Sequence, residues 1–347
     1  MNQICLMDNI LDGHHTAYLK TLNQIPATNN ISKEMMTISP IRSIVPYMKE
    51  RFAVFRYAFG EVNHRFSVLH FLYIDNLYVA GAAYRFPKHC KLIGTLHQFP
   101  QSSIKQKLLR MFCRRLEYVI VHSEFTGAQL EEIGIFNYVV INYPVFYNSG
   151  LQISRNEMKV NAGLSEDKMV ISALGGTRSD KGLDLLLQAL KYIGKEYHDK
   201  LIINIAGKEE NITKEQINHT LSSLDIESRV VLRLLSDEEF YQNVKLSDAI
   251  ILPYRTIFNG NSGPMTEGVY QGIPIIGPSH GNIGALINRH RLGYTFESEN
   301  IESIARTIEH FINDKWQVNE LSEQYRQSLE VGAFIQNHQE LYEKLIN

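Results

Sequence analysis

Residues 249–277 read Ala249-Ile250-Ile251-Leu252-Pro253-Tyr254-Arg255-Thr256-Ile257-Phe258-Asn259-Gly260-Asn261-Ser262-Gly263-Pro264-Met265-Thr266-Glu267-Gly268-Val269-Tyr270-Gln271-Gly272-Ile273-Pro274-Ile275-Ile276-Gly277. The apolar run at Ala249–Pro253 predicts a strand. Small and polar residues from Asn259 open a turn, helix-compatible residues come after them, and Gly272 and Pro274 stop the helix. A second apolar run, Ile273–Ile276, predicts the next strand. Strand, Gly-rich turn, short helix, strand is the unit of a parallel α/β sheet. Such a turn leaves backbone N–H groups at a helix N-terminus, where a phosphate can sit. Ser262 and Gly263 would present those groups, and the helix starting near Pro264 would add its positive end. Glu267 lies one turn further in, within reach of a sugar hydroxyl. A phosphate site beside a carboxylate points to a nucleotide or a nucleotide sugar.

The same unit recurs along the chain. Ile4–Met7, Val68–Tyr73, Lys91–Leu96 and Tyr118–His122 are short apolar runs, each succeeded by polar residues or glycine. Around 142–150 the pattern lapses into Tyr, Pro, Asn, Ser and Gly, which marks a linker. Met169–Leu174, Leu201–Ala206 and Val230–Leu234 then predict strands of a second sheet. Leu183, Leu186, Leu187 and Leu190 make an i, i+3, i+4, i+7 helical stripe between the first two. Ser236 and Glu239 form a capping box for a further helix. Residues 301–312 and 319–345 read as helical. The expected organisation is an N-terminal acceptor-side domain over 1–150, a nucleotide-sugar domain over 151–318, and a helical segment over 319–347 crossing back to the first domain. Each domain is Rossmann-like and doubly wound, with ligand expected in a cleft between them.

Composition narrows the class. Of the 347 residues 44% are hydrophobic, enough for two cores. The formal charge of −2 is uneven: residues 1–150 hold 15 Lys+Arg against 10 Asp+Glu, and the remainder 20 against 27. A basic first half predicts an anionic partner such as a membrane surface. Two segments combine cations with large apolar residues at helical spacing, 48–59 and 105–116, and either could rest on an anionic bilayer. Cys5, Cys90 and Cys113 match no metal-binding spacing and fit a reducing compartment. No stretch reads as a signal peptide or a membrane span, so the expected location is the cytoplasm, up to the inner face of the cell membrane.

Three groups could carry chemistry. Arg178 and Lys181 lie in the glycine-bearing turn 175–182 after the strand Met169–Leu174, beyond a strand's carboxyl end, where ligands of open sheets bind. Arginine can fork two phosphate oxygens and lysine acts as a point charge, so the pair suits a leaving diphosphate, with Gly176 beside it. His97 ends the strand Lys91–Leu96 and could bind a sugar hydroxyl or move a proton. Gly13, His14 and His15 occupy the first strand–helix turn on the cleft side, with Gly13 expected at the donor and His14 and His15 toward the acceptor. His122 and His70 read as structural. The chain has no G-x-G-x-x-G after its first strand, no P-loop, no G-x-S-x-G, no H-E-x-x-H and no Asp-x-Asp. Neither a dinucleotide cofactor nor a metal is therefore expected, and no nucleic-acid partner.

With these residues in view, the chain resembles glycosyltransferase family 4, retaining enzymes of the GT-B fold. The likeness covers most of residues 160–300. Lys181-Gly182 matches the end of the family's Gly-rich turn. Glu267 matches the second of its two glutamates spaced eight apart, and Gly272-Ile273-Pro274 matches the Gly-x-Pro that succeeds them. The resemblance implies that Glu267 contacts the donor ribose and that Arg178 and Lys181 contact the diphosphate. Two positions depart from the pattern: the first glutamate falls on Asn259, and the usual arginine falls on Gly176. Gly13 with His14 and His15 resembles the first glycine loop, and Thr95-Leu96-His97 the strand end that places a histidine between acceptor and donor. The expected activity is transfer of a hexosyl unit from a nucleotide diphosphate sugar to a glycan or lipid-linked glycan in cell-surface polysaccharide synthesis. A nucleotide-sugar epimerase or hydrolase of the same architecture, and an inactive partner subunit, remain open.

Overall fold

The computed structural model describes residues 4–11, 14–35, 43–62, 66–88, 90–148, 150, 153–258, 260–314 and 316–346. The chain divides into two compact units, Met1–Phe146 with Val331–Asn347, and Tyr147–Glu330.

In the first unit six strands, β1 (Ile4–Met7), β2 (Thr28–Asn30), β3 (Val68–Phe71), β4 (Lys91–Thr95), β5 (Tyr118–Val121) and β6 (Tyr138–Val140), form one parallel sheet in the order β2-β1-β3-β4-β5-β6. The strands alternate between two buried layers, as a sheet covered on both faces requires. Cys5, Met7, Leu69 and Phe71 enter one layer, beneath the helix Ile44–Val62. Ile4, Leu6, Val68 and Ile93 enter the other. Cys5 is a core residue, and burial pushes its thiol up to about 12. The chain's last helix, Val331–Ile346, completes the second layer with Phe334, Leu341 and Tyr342. His70, buried inside β3, shares its ring nitrogens between Tyr342 Oη at 2.7 Å and Thr95 Oγ1 at 2.9 Å, so a polar side chain in the core is fully satisfied.

The second unit repeats the plan. Strands β7 (Met169–Leu174), β8 (Leu201–Gly207), β9 (Glu227–Leu232), β10 (Ala249–Ile251), β11 (Ile275–Pro278) and β12 (Gly293–Phe296) pair in parallel in the order β12-β11-β10-β7-β8-β9. Ile171, Ile203, Ile251 and Ile276 pack into one layer and Leu174, Ala206, Ile250 and Ile275 into the other. The helix Leu183–Ala189 buries Leu183, Leu186 and Leu187 as its spacing predicts, and Leu185 as well. The Ser236–Glu239 capping box opens the helix Asp237–Lys245.

Between β1 and β3 in the first sheet, and between β7 and β10 in the second, the direction of winding reverses. In open sheets of this kind such a reversal point, at the carboxyl ends of the strands, is where ligands bind. Three short strands have no counterpart in the sequence reading: β2, β6 and β12. The reading also places β9 three residues late. All four are edge strands.

Candidate functional site

At the reversal point of the second sheet, the turns after β7 and β10 are locked together. Gly182 has φ 61°, and a Cβ there would meet the Pro253 carbonyl oxygen at 2.0 Å, so only glycine fits. The Arg255 N–H donates to the Asp180 carbonyl at 3.0 Å. Its guanidinium forks the Asp184 carboxylate at 2.9 and 2.6 Å and donates to the Ser179 carbonyl at 2.7 Å. Thr177 ties the same turn to the one after β8, donating to the Ile212 carbonyl at 2.9 Å and accepting from the Glu210 N–H at 2.8 Å. Arg255, Asp184 and Thr177 are struts that the sequence did not mark out as functional. Arg255 has a partner, Asp184, that lies 71 residues away in the chain, so no local signal joins the two.

These struts present Lys181. Its ammonium stands 5.5 Å from the Tyr254 ring centroid, and a Cβ on Gly175, where φ is 105°, would come within 2.6 Å of it. Among the described residues no carboxylate pairs with Lys181. Arg178 differs. Its Nε and Nη2 donate to the Asp180 carboxylate at 3.0 and 2.9 Å, and that pairing holds the Asp180 carboxyl below its ordinary value. The Arg178 side chain is half exposed, at 51%. Gly176 lies against Glu210, whose carboxylate would meet a Cβ there at 2.3 Å.

The helix Gly263–Tyr270 begins beside Lys181, since Pro264 Cγ is 3.9 Å from the position a Gly175 Cβ would take. Ser262 is its N-cap and accepts from the Met265 N–H at 3.3 Å. The Tyr254 hydroxyl braces Ser262 at 3.2 Å. Pro264 has no N–H, and the Thr266 N–H donates to the Ser262 carbonyl. Among the described residues the Gly263 N–H has no acceptor, and the space beside Gly263 is open to 4 Å. The Ser262 hydroxyl serves as the cap, whereas the groups the sequence reading offers to a ligand are the backbone N–H groups of Ser262 and Gly263. Glu267, partly buried in the second turn, has no hydrogen-bond or ion-pair partner among the described residues. Burial raises its carboxyl to about 7, with Asp237 adding to the push. Asn259 lies outside the described residues.

The reversal point of the first sheet is built from rings. Asp8, buried after β1, bonds His15 Nδ1 at 3.0 Å. His15 stacks on Tyr73 at 3.6 Å, Tyr73 stacks on His97 at 3.7 Å, and the His97 ring lies 4.7 Å from that of His122. His97 Nε2 donates to the Leu72 carbonyl at 3.0 Å, which fixes its tautomer because a carbonyl only accepts. The backbone N–H groups of His97 and Gln98 donate to the Asp75 carboxylate, at 3.1 Å and 2.7 Å. Burial nevertheless raises the Asp75 carboxyl to about 6. His122 donates through Nδ1 to the Ile141 carbonyl at 2.7 Å, and burial lowers its pKa to about 4. His97 and His15 thus belong to one column. Gly13 lies outside the described residues, as does the His14 side chain, although His14 opens the first helix.

The segment 48–59 falls within the helix Ile44–Val62, which buries Arg51, Val54, Phe55 and Ala58. The segment 105–116 contains most of the helix Ser103–Cys113. Among the described residues no helix is long and apolar enough to cross a membrane.

Three solved structures illustrate the likeness of the whole chain. A sucrose-phosphate synthase from Thermosynechococcus elongatus superposes with a TM-score of 0.74 at 13% identity, over 100% of this chain and 99% of that one. A glycosyltransferase from Rickettsia africae gives 0.72 at 15% identity, over 100% of both chains. HepE of Anabaena, solved in complex with UDP and glucose, gives 0.67 at 13% identity, over 99% of this chain and 100% of that one. At such identities the likeness shows the fold, and that fold is GT-B. No curated protein matches the sequence. The family profile of glycosyl transferases group 1 matches residues 154–328, half of the chain and nearly all of the second unit. The chain belongs to the glycosyl transferases group 1 family.

Proposed function

We propose that the protein is a retaining glycosyltransferase that moves a hexosyl unit from a nucleotide diphosphate sugar to a glycan acceptor, carried on a lipid, in cell-surface polysaccharide synthesis on the cytoplasmic side. One observation carries the donor assignment: beside the reversal point of the second sheet stand Lys181 and the start of the helix Gly263–Tyr270, which also bears Glu267, and among the described residues Lys181, the Gly263 N–H and the Glu267 carboxylate take no hydrogen-bond or ion-pair partner. Lys181 and the Gly263 N–H would hold the diphosphate, and Glu267 would accept from the ribose hydroxyls. The UDP complex of HepE supports a donor of this kind.

In the transfer, the bond between the anomeric carbon and the diphosphate oxygen breaks as the acceptor oxygen bonds to the same face of that carbon. The acceptor's proton passes to the leaving phosphate oxygen, so products are the glycoside and the nucleoside diphosphate. Charge grows on the diphosphate as the bond opens, and Lys181 with Arg178 would stabilise it without a divalent ion. His97, with Nε2 committed to the Leu72 carbonyl, would orient acceptor or sugar through the rest of its ring.

A second reading, a partner subunit without turnover, rests on the sequence at Asn259, where the resembling family has a carboxylate. The test is calorimetry with UDP, GDP and ADP and their sugars on the wild type and Lys181→Ala, and then donor consumption with a lipid-linked acceptor pool. Binding that falls at least tenfold in the variant, together with donor consumption by the wild type, is expected. Binding without consumption leaves the partner subunit, and no heat with any nucleotide removes both.

A further inference from the structure

The helix Ser103–Cys113 has two unlike faces. Leu109, Phe112 and Cys113 are buried in the first unit's core. On a helix of 3.6 residues per turn, Lys107, Arg110, Met111 and Arg114 point the opposite way, with Ile104 on the flank. All five are exposed, Ile104 at 69% and Met111 at 52%. Lys105, in the first turn, is exposed as well, and residues 101–116 contain no Asp or Glu. Two large apolar side chains seven residues apart, therefore on one line of the helix, sit among cations, with no acid in the same segment.

Not every basic residue of the segment belongs to this face. The Arg115 guanidinium donates to the Gly81 and Tyr84 carbonyls at 2.9 and 2.7 Å and lies over the Phe86 ring. It holds the neighbouring helix and is not offered outward. The other basic, aromatic segment differs throughout. Val54, Phe55 and Ala58 are core, Met48, Phe52, Tyr57 and Phe59 pack against it, and Arg51 is engaged with Asn76 and Glu50. Its apolar content is used in folding, whereas that of the helix Ser103–Cys113 is left over at two positions.

We propose that this outward face of Ser103–Cys113 rests on an anionic phospholipid bilayer, with Lys107, Arg110 and Arg114 at the headgroups and Ile104 and Met111 entering the acyl boundary. Charge complementarity selects an anionic surface. The two protruding aliphatic side chains select a bilayer over nucleic acid, which would use cations and stacked rings, and the ring of this helix, Phe112, is buried. The helix starts at the carboxyl edge of the first sheet, since it comes after β4, and that edge also bears the ring column from His15 to His122. The surface would thus bring a lipid-carried acceptor to that edge. Only this last step rests on the transferase reading; the bilayer contact stands without it.

The test is sedimentation of the full chain with vesicles of phosphatidylcholine, alone or with 30 mol% phosphatidylglycerol (roughly the anionic fraction that gives a strong surface potential). Binding to the anionic vesicles only, weakened by salt, is expected. Lys107→Glu with Arg114→Glu should weaken it by roughly twenty-five-fold or more, at about fivefold per cation removed. Ile104→Ser with Met111→Ser should weaken it by roughly tenfold while leaving its salt dependence in place. Lys195→Glu with Lys214→Glu, exposed in the second unit, makes the same charge change and should have little effect. Wild-type protein that ignores anionic vesicles, or equal loss in the Lys195/Lys214 control, overturns the proposal. So does an Ile104/Met111 variant that binds vesicles as the wild type does, or one whose only change is loss of self-association. UDP calorimetry on the same samples separates the two ideas: vesicle binding without UDP binding would sink the donor site and leave this surface standing.

Discussion

Glu267 offers the sharpest test of the donor site, because its environment links ligand, pH and stability. Its carboxyl titrates near 7 rather than at its ordinary 4.5 because burial disfavours the charged form. The folded state therefore prefers the protonated acid. Below 4.5 both folded and unfolded chains carry the proton, and Glu267 contributes nothing to the pH dependence. As pH rises from 4.5 to 7 the unfolded chain releases it first, and stability falls, by roughly 3 kcal/mol at full effect. Glu267 is partly exposed, and water reaching it reduces this to about 1–2 kcal/mol. Glu267→Gln removes the titration, so the variant should be more stable than wild type at pH 8, with that advantage disappearing by pH 4.5. Denaturant melts at the two pH values read this directly.

Binding should respond in the opposite sense. Ribose hydroxyls donate more strongly to a carboxylate than to a neutral acid. Nucleotide binding must then select the ionised form, which at pH 6 is only about a tenth of the population for a group at 7. The wild-type Kd for UDP should be about tenfold weaker at pH 6 than at pH 8. The ligand's phosphate also titrates near this range, but it does so equally for both proteins. The ratio of variant to wild-type Kd therefore isolates Glu267, and it should rise about tenfold between pH 6 and pH 8. A ratio that stays flat would refute the assignment of Glu267 to the ligand, whatever the stability data show.

Gly182→Ala places a Cβ at 2.0 Å from the Pro253 carbonyl oxygen in a left-handed backbone, so the two turns must separate. The conformation alone costs about 1–2 kcal/mol, and the melting temperature and UDP affinity should fall together. Ser262→Ala removes the cap of the helix Gly263–Tyr270 and should cost about 1 kcal/mol in denaturant melts. Asp180→Asn frees the Arg178 guanidinium. If Arg178 grips phosphate only by leaving Asp180, UDP should bind a few-fold more tightly in calorimetry, about 1 kcal/mol at most for a half-exposed pair; unchanged affinity would show that Arg178 takes no part.

Burial decides which elements are legible in the sequence. Strands β1, β3, β4, β5, β7, β8, β10 and β11 lie inside their sheets, and covering both faces forces continuous apolar runs. The four edge strands are under no such demand. β2 is Thr28-Asn29-Asn30, β6 is half-buried throughout, and β12 opens with Gly293. Each is held by hydrogen bonds to one neighbour, which any sequence can supply. The site divides in the same way. Lys181, Gly263 and Glu267 stand in a local pattern of turn and helix start, so their residue types and spacing announce them. The Arg255–Asp184 fork and the Thr177 clamp join separate turns, and nothing within either turn names its partner. The Arg178–Asp180 pair spans only two residues, but it depends on the turn folding the arginine back over the aspartate, which residue type alone does not specify.

The reversal points of the two sheets are built on opposite principles, and this bears on where chemistry can be driven. In the second unit three groups have no hydrogen-bond or ion-pair partner among the described residues: the Lys181 ammonium, the Gly263 N–H and the Glu267 carboxyl, which burial raises to about 7. In the first unit Asp8, His15, His97, Asp75 and His122 each have a partner. Asp8 holds His15, Leu72 fixes the His97 tautomer, two N–H groups hold Asp75, and His122 is kept neutral by burial. A stacked column of rings can present shape and hydrogen bonds to a sugar, but Asp8, His15, His97 and His122 are already engaged with one another or with the backbone. Electrostatic stabilisation of a leaving group needs charge whose attraction is not already satisfied. Substitutions in the column should accordingly act on the affinity for acceptor, and those at Lys181 on the rate at which the donor bond opens.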